Sequence, residues 1–161
     1  MDSEISEHPT ARKKGTEFES LAAHFLAEQG AQIVARNFHC RGGELDLVAL
    51  IDGCLVFVEV RFRVSSAYGD PLETVNFAKQ RKLKRAAQTF FRRNPHWEAW
   101  PCRFDVIAIA PELSPSAALP ANSQPTLDSG RGLVGRHRSG ENPTSHYQIE
   151  WVCDAFDVDA W

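Results

Sequence analysis

Between Gly43 and Arg63 the chain reads GELDLVALIDGCLVFVEVRFR, two apolar runs divided by Asp52-Gly53. An Asp-Gly pair between apolar runs is a strong two-residue hairpin signal, because both turn positions need positive φ. A loop of those two residues sets Asp46 opposite Glu59 and Glu44 opposite Arg61. Side chains alternate along a strand, so these four share one face with Val48, Leu50, Leu55 and Phe57. Leu45, Leu47, Ala49, Val56, Val58 and Val60 fall on the other. A hairpin apolar on both faces belongs in the middle of a covered sheet. Charges gathered at its open end are costly to bury unless paired, hydrogen-bonded or metal-bound.

The flanking pattern predicts a helix over Thr16–Gln29, closed by Gly30, with Phe18, Leu21, Ala22 and Phe25 as its apolar stripe. A short strand is expected over Gln32–Arg36. After a loop at Ser65–Asp70, Pro71 suits the start of a helix running from about Leu72 to Arg93. Arg103–Ala110 and Tyr147–Cys153 read as strands, the second with Tyr147, Ile149 and Trp151 on one face. This order implies one α/β domain, a central mixed sheet flanked by helices, over residues 15–161. Residues 1–14 are polar and expected to be disordered. So is the insertion 111–146, which holds five of the nine prolines and four of the ten glycines. Its arginines, Arg131, Arg136 and Arg138, read as solvated.

Composition narrows the class. No apolar run reaches the length of a membrane span, and the N-terminal stretch has no apolar core of a secretory leader. Cys40, Cys54, Cys102 and Cys153 form no C-x-x-C pair and read as reduced thiols of a cytoplasmic protein. The histidines show no zinc-ligand spacing. The net charge of −3 conceals an asymmetry: residues 61–93 carry nine Lys and Arg against two acids. A concentrated positive region on an otherwise acidic chain points to a polyanionic partner.

Asp46 and Glu59 on adjacent strands could hold Mg²⁺ or Mn²⁺, with hard oxygen donors and retained waters. Such an ion can bridge a phosphate oxygen and acidify a bound water. Arg61, two residues after Glu59, would put positive charge beside the phosphate. A structural reading stands beside this one: Glu44 and Arg61 as a cross-strand ion pair, with Asp46 capping a loop.

GELDLV followed by LVFVEVRFR resembles the PD-(D/E)-x-K signature of restriction endonuclease-like nucleases. Asp46 matches the first acid and Glu59 the second, and Arg61 stands where the signature has Lys. More specifically, the chain resembles the YraN-like family of small bacterial proteins, which are similar to archaeal Holliday-junction resolvases. The blocks that match are G-x-x-x-E-x-L-A (Gly15–Ala22), ARNFHCRGGELDLV, RFDV (Arg103–Val106) and IEWVCDAF (Ile149–Phe156). The resemblance implies a restriction endonuclease-like three-layer fold. It also implies a Mg²⁺- or Mn²⁺-dependent endonuclease acting on DNA, with branched or single-stranded DNA as candidate substrates. It adds Glu19 to Asp46 and Glu59 as a metal ligand. Read from the residues alone, Glu19 also fits a capping box with Thr16. Arg61 departs from the signature: a Lys with a depressed pKa could help activate water, whereas Arg stays protonated and can only orient or bind.

In the second helix Leu83, Ala86, Ala87 and Phe90 form one face, and Arg81, Arg85 and Arg92 project from the other, with Lys82, Lys84 and Arg93 on the flanks. An exposed face nearly all of one sign suits a phosphate backbone better than plain solvation. Arg63, Lys79, Arg81, Lys82, Lys84 and Arg85 are the expected nucleic-acid contacts, with Arg63 and Lys79 bringing positive charge nearer the acids. No base-reading motif is present, so shape or backbone recognition is expected. The competing expectation is a non-catalytic nucleic-acid-binding module on the same fold. A third, a scaffold role, rests only on the Pro/Gly-rich insertion. A junction-cutting enzyme would act as a homodimer.

Overall fold

Asp52 and Gly53 both take positive φ, 48° and 75°, so the central hairpin closes as its sequence predicts. The computed structural model describes residues 11–63, 75–111, 134–137 and 146–156. Its elements are α1 (Ala11–Glu28), β1 (Gln32–Cys40), β2 (Gly43–Ile51), β3 (Cys54–Phe62), α2 (Phe77–Arg93), β4 (Cys102–Pro111), β5 (Val134–His137) and β6 (Tyr147–Phe156), with a 3₁₀ turn at Pro95–Trp97. The strands form one sheet in the order β1-β2-β3-β4-β6-β5. Only β3 and β4 run parallel, and α2 lies in the crossover that a parallel pair requires. The sheet is therefore mixed and the class α/β, as expected. No helix among the described residues is long and apolar enough to cross a membrane.

The helices cover opposite faces. Ala22, Phe25 and Leu26 of α1 pack on Leu47, Ala49, Val56, Val58, Ile107 and Ile109. Leu83, Ala86, Ala87 and Phe90 of α2 pack on Val48, Leu55, Phe57, Phe104 and Val106. Phe90 meets Phe38 and Phe57 edge-on, with ring centroids 5.3 and 5.9 Å apart. Each large side chain so buried contributes roughly 1.5–3 kcal/mol from leaving water. The alternation of β2 and β3 thus sorts their residues as the pattern predicts, with one exception. Leu45 joins the α2 core although alternation assigns it to the α1 face. Its end of β2 bends towards α2, where Gly43 lies so close that a Cβ would stand 2.5 Å from the Lys82 carbonyl oxygen.

Several element boundaries differ from expectation. Helix α1 starts at Ala11, so part of the segment taken for a disordered tail is helical. With the helix beginning there, Thr16 is not at an N-terminus, and the Thr16–Glu19 capping box does not form. Strand β1 extends past Arg36 to Cys40, carried by pairing with β2 rather than by its own polar sequence. Helix α2 begins at Phe77, not Leu72, because Asn76 caps it: its Oδ1 accepts from Lys79 N at 3.0 Å. Within the insertion expected to lack structure, Val134–His137 pairs with β6 at the sheet border. The predicted loop at 65–70, Pro71 and residues 112–133 and 138–145 of the insertion lie outside the described residues.

Asp105 is fully buried and its carboxylate is fully answered. Oδ1 accepts from Arg103 Nε and Asp154 N, both at 2.9 Å. Oδ2 accepts from Arg103 Nη2 at 3.2 Å and Trp151 Nε1 at 2.9 Å. These bonds tie β4 to β6 where their register shifts, beside Asp154 with its φ of 51°. Replacing Asp105 by Ala would strand the Arg103 guanidinium and two other donors. The expected loss is about 3 kcal/mol of unfolding free energy, measured by urea denaturation against the parent chain.

Candidate functional site

Pairing between β2 and β3 follows the predicted register from Ile51–Cys54 as far as Leu47–Val58. Beyond that point the two strands part, and the Asp46 side chain enters the gap. Its Oδ2 accepts the backbone N–H of Val60 at 2.8 Å, replacing a ladder bond with a carboxylate. This holds Asp46 beside Glu59. Burial raises the Asp46 pKa, against the opposing effects of the Val60 N–H and the Lys79 charge.

Glu59 is 2 % exposed. Its Oε1 takes Lys79 Nζ at 2.9 Å and Arg61 Nη2 at 3.1 Å. Its Oε2 and the Nε of Arg61 are buried with no hydrogen-bond partner among the described residues. Burial, then the neighbouring Asp46 carboxylate, pushes the Glu59 pKa up to about 7, even though Lys79 and Arg61 act in the other direction. Asp46 thus raises the proton affinity of Glu59, and one buried Glu59 oxygen is left without a donor among the described residues.

Glu19 reaches this end of the sheet from α1. Burial raises its pKa despite a hydrogen bond from Asn37, and it feels Asp46 and Glu44. It therefore borders Asp46. Among the described residues, however, no three His, Cys, Asp or Glu side chains converge as ligands to one ion. The structure brings Asp46 and Glu59 together and leaves Glu19 at the margin. The donor set fits a hard cation through two carboxylates, the small number that Mg²⁺ accepts when it keeps its waters.

Glu44 and Arg61 do not form the predicted cross-strand pair. The parting of β2 from β3 separates them. Glu44 is half exposed and lies 3.5 Å from Lys79 Nζ and 3.6 Å from His39 Nδ1. Arg61 instead turns to Glu59 on its own strand.

The basic residues divide into two groups. Lys79 points inward, one helical turn before Leu83 on the buried stripe of α2, and so meets the acids rather than solvent. Its inward position was readable from that spacing, since residues 79, 83, 86 and 90 lie on one face. Arg63 is half buried just past β3, with Nε and Nη2 enclosed. Arg81, Lys82 and Arg85 are exposed and Lys84 is half buried, so these four form the basic outer surface.

Comparison with known proteins shows the family. The model of an uncharacterised protein family, UPF0102, matches residues 18–109. The chain belongs to that family. A UPF0102 protein of Pseudomonas syringae pv. syringae (strain B728a) is 47% identical over 113 residues, 70% of this chain and 90% of the relative. Another, from Alcanivorax borkumensis, is 48% identical over 107 residues, 65% of this chain and 86% of that protein. A third, from Stutzerimonas stutzeri (strain A1501), is 46% identical over 99 residues, 62% of this chain and 82% of its own. The stretch that defines UPF0102 here contains Glu19, Asp46, Glu59, Arg61, Lys79 and Asp105. The family resembled by the sequence motifs is thus the one to which the chain belongs, and the family name assigns no activity.

The Glu59 carboxyl predicts a pH signature. Its folded pKa, about 7, lies above the ordinary 4.5, so the folded state binds the extra proton between those values. Its contribution to stability therefore falls as pH rises from 4.5 through 7, and is level above. Glu59→Gln keeps the side chain neutral throughout. Relative to the parent, this variant should gain on the order of 3 kcal/mol between pH 4.5 and 8, read as the difference of two urea-unfolding series.

Proposed function

We propose that this protein is a metal-dependent endonuclease that hydrolyses DNA phosphodiester bonds, on a restriction endonuclease-like fold, with branched or single-stranded DNA as its substrate class. The observation that supports this reading most is the adjacency of Asp46 and Glu59 at the parted end of the hairpin. There one buried Glu59 oxygen is left open, while Lys79 and Arg61 both bind the other. Asp46 and Glu59 would hold a Mg²⁺ or Mn²⁺, with Glu19 beside Asp46. When bound, that ion supplies Lewis acidity and a water of lowered pKa.

The chain's own residues then have separable tasks. Asp46, fixed by the Val60 N–H, and Glu59, with its open Oε2, would hold the ion. Lys79 and Arg61, which neutralise Glu59 in this structure, would bind a phosphate oxygen of the substrate. Arg61 remains protonated and serves as a binding group, not as a base. The outer face of α2, carrying Arg81, Lys82, Lys84 and Arg85, would take the phosphate backbone without reading sequence.

One observation favours a second reading, a nucleic-acid-binding module without turnover. Lys79 and Arg61 already balance Glu59, and they could do so permanently. The two readings separate in one assay. Mn²⁺ is titrated into the parent, Asp46→Ala and Glu59→Ala with duplex, single-stranded and four-way-junction DNA. The nuclease reading expects metal-dependent cleavage that falls on the order of a hundredfold or more in each variant. Retained DNA binding with no metal-dependent cleavage by the parent would sink it in favour of the module. Under either reading, changing Arg81, Lys82 and Lys84 together to Ala should flatten the dependence of log affinity on log salt by roughly 3. That slope is measured by fluorescence anisotropy across a salt series.

A further inference from the structure

Away from the acids, the β1–β2 turn and the C-terminal half of α2 border an open, solvent-facing groove of about 380 Å³. Four arginines line it: Arg41 from the turn, and Arg85, Arg92 and Arg93 from the helix. Counting from Lys79 to Thr89 along α2, it lies about 15 Å from the acid pair at the rise of an α-helix. Its volume is within the range of small-ligand sites, roughly 300–1,000 Å³.

The pocket is built rather than accidental. Gly42 brings the turn onto the helix: a Cβ there would stand 3.1 Å from Arg85 Cβ. Arg92 Nη2 donates to Thr89 Oγ1 at 3.0 Å, and Thr89 in turn donates to the Arg85 carbonyl at 2.9 Å. The Arg93 guanidinium lies 5.3 Å from the centre of the Phe38 ring. Two of the four guanidinium groups are thus held in place before any ligand arrives, which lowers the entropic cost of binding. No carboxylate lines the cavity, and the arginine–carboxylate pairs among the described residues involve Arg61 and Arg103 instead. Four unopposed, always-protonated forks in one pocket call for a concentrated negative charge. A phosphodiester carries one charge, whereas a phosphomonoester carries about 1.5 to 2 near neutral pH.

We propose that this arginine pocket binds a phosphomonoester dianion, either the phosphorylated end of a nucleic-acid strand or a free nucleotide. The site is separate from the acid pair and requires neither a metal nor hydrolysis.

Cys40, on the pocket wall, provides a local reporter. Burial raises its pKa, but Gly42, Thr89, Gly43 and Arg93 together outweigh this and lower it. Burial holds Cys54 and Cys102 above the usual thiol value, and Cys153 at about 11. Neutral iodoacetamide should therefore label Cys40 first, and occupancy of the pocket should slow that labelling.

The experiment uses the full chain without divalent metal, with Cys40 alkylation followed by mass spectrometry. Inorganic phosphate is compared with chloride at equal ionic strength, and a 5′-phosphorylated oligonucleotide with its 5′-hydroxyl form and with adenosine monophosphate. At ten times its Kd, a phosphomonoester should slow Cys40 labelling about tenfold, with the other thiols unaffected. The 5′-hydroxyl strand should protect far less than the phosphorylated one. Arg92→Gln combined with Arg93→Gln should abolish protection at an unchanged melting temperature. If that pair disturbs folding, Arg41→Gln in the exposed turn should weaken protection by itself. The stronger of the phosphorylated strand and the mononucleotide identifies the source. Equal protection by chloride, equal protection by the 5′-hydroxyl strand, or protection that survives in a folded variant would overturn the proposal. Because no cleavage is measured, these results leave the hydrolytic reading standing or falling by its own assay.

Discussion

A carboxylate removed from water must be matched by positive charge or take up a proton, and Glu59 is where this fold meets that requirement. Its side chain lies under the N-terminal turn of α2, beside Asp46, with Lys79 and Arg61 on one oxygen and nothing among the described residues on the other. Each part of the surroundings serves this arrangement. The parting of β2 and β3 makes room for the Asp46 carboxylate. The Asn76 cap fixes where α2 begins and so aims Lys79 at the acids. Gly43, pressed against the Lys82 carbonyl, locks the end of β2 to the same helix.

The two buried acids of this sheet illustrate different uses of similar chemistry. Asp105 has four donors on its two oxygens and couples neighbouring strands, so its charge is settled and its role is mechanical. Glu59 has both its donors on one oxygen and a like charge next to it. The first arrangement gives stability at the far side of the sheet. The second keeps proton affinity high and leaves one oxygen without a donor among the described residues, which is costly for folding.

Local signals in the chain carried much of this arrangement. Asp52-Gly53 gave the hairpin register, and the spacing of Leu83, Ala86, Ala87 and Phe90 gave the buried side of α2. The pairing of Asp46 with Glu59 followed from that register, although the strands separate at this point instead of pairing through it. Long-range effects were not legible. The bend that moves Leu45 to the other core depends on contact with Lys82. The continuation of β1 to Cys40 depends on its partner strand, and the edge strand at Val134–His137 depends on β6. Glu44 and Arg61 went to other partners because a carboxylate took the place of a backbone bond. Glu19 is expected from the resemblance to share an ion with the other two acids; it stands beside Asp46 and Glu44, bonded to Asn37. Lys79 is expected to bring positive charge nearer the acids, and extending the apolar stripe of α2 one turn backwards gives its inward turn.

Among the described strands, β1 forms one outer border of the sheet. Its register with β2 shifts between Ile33 and Ala35, and Asn37 takes a φ of 51°. A straight row of free amides and carbonyls invites a second chain to add a strand, the usual first step towards aggregation. Here that row is interrupted twice within nine residues. The irregularities leave the border open to water while denying an incoming strand a continuous template.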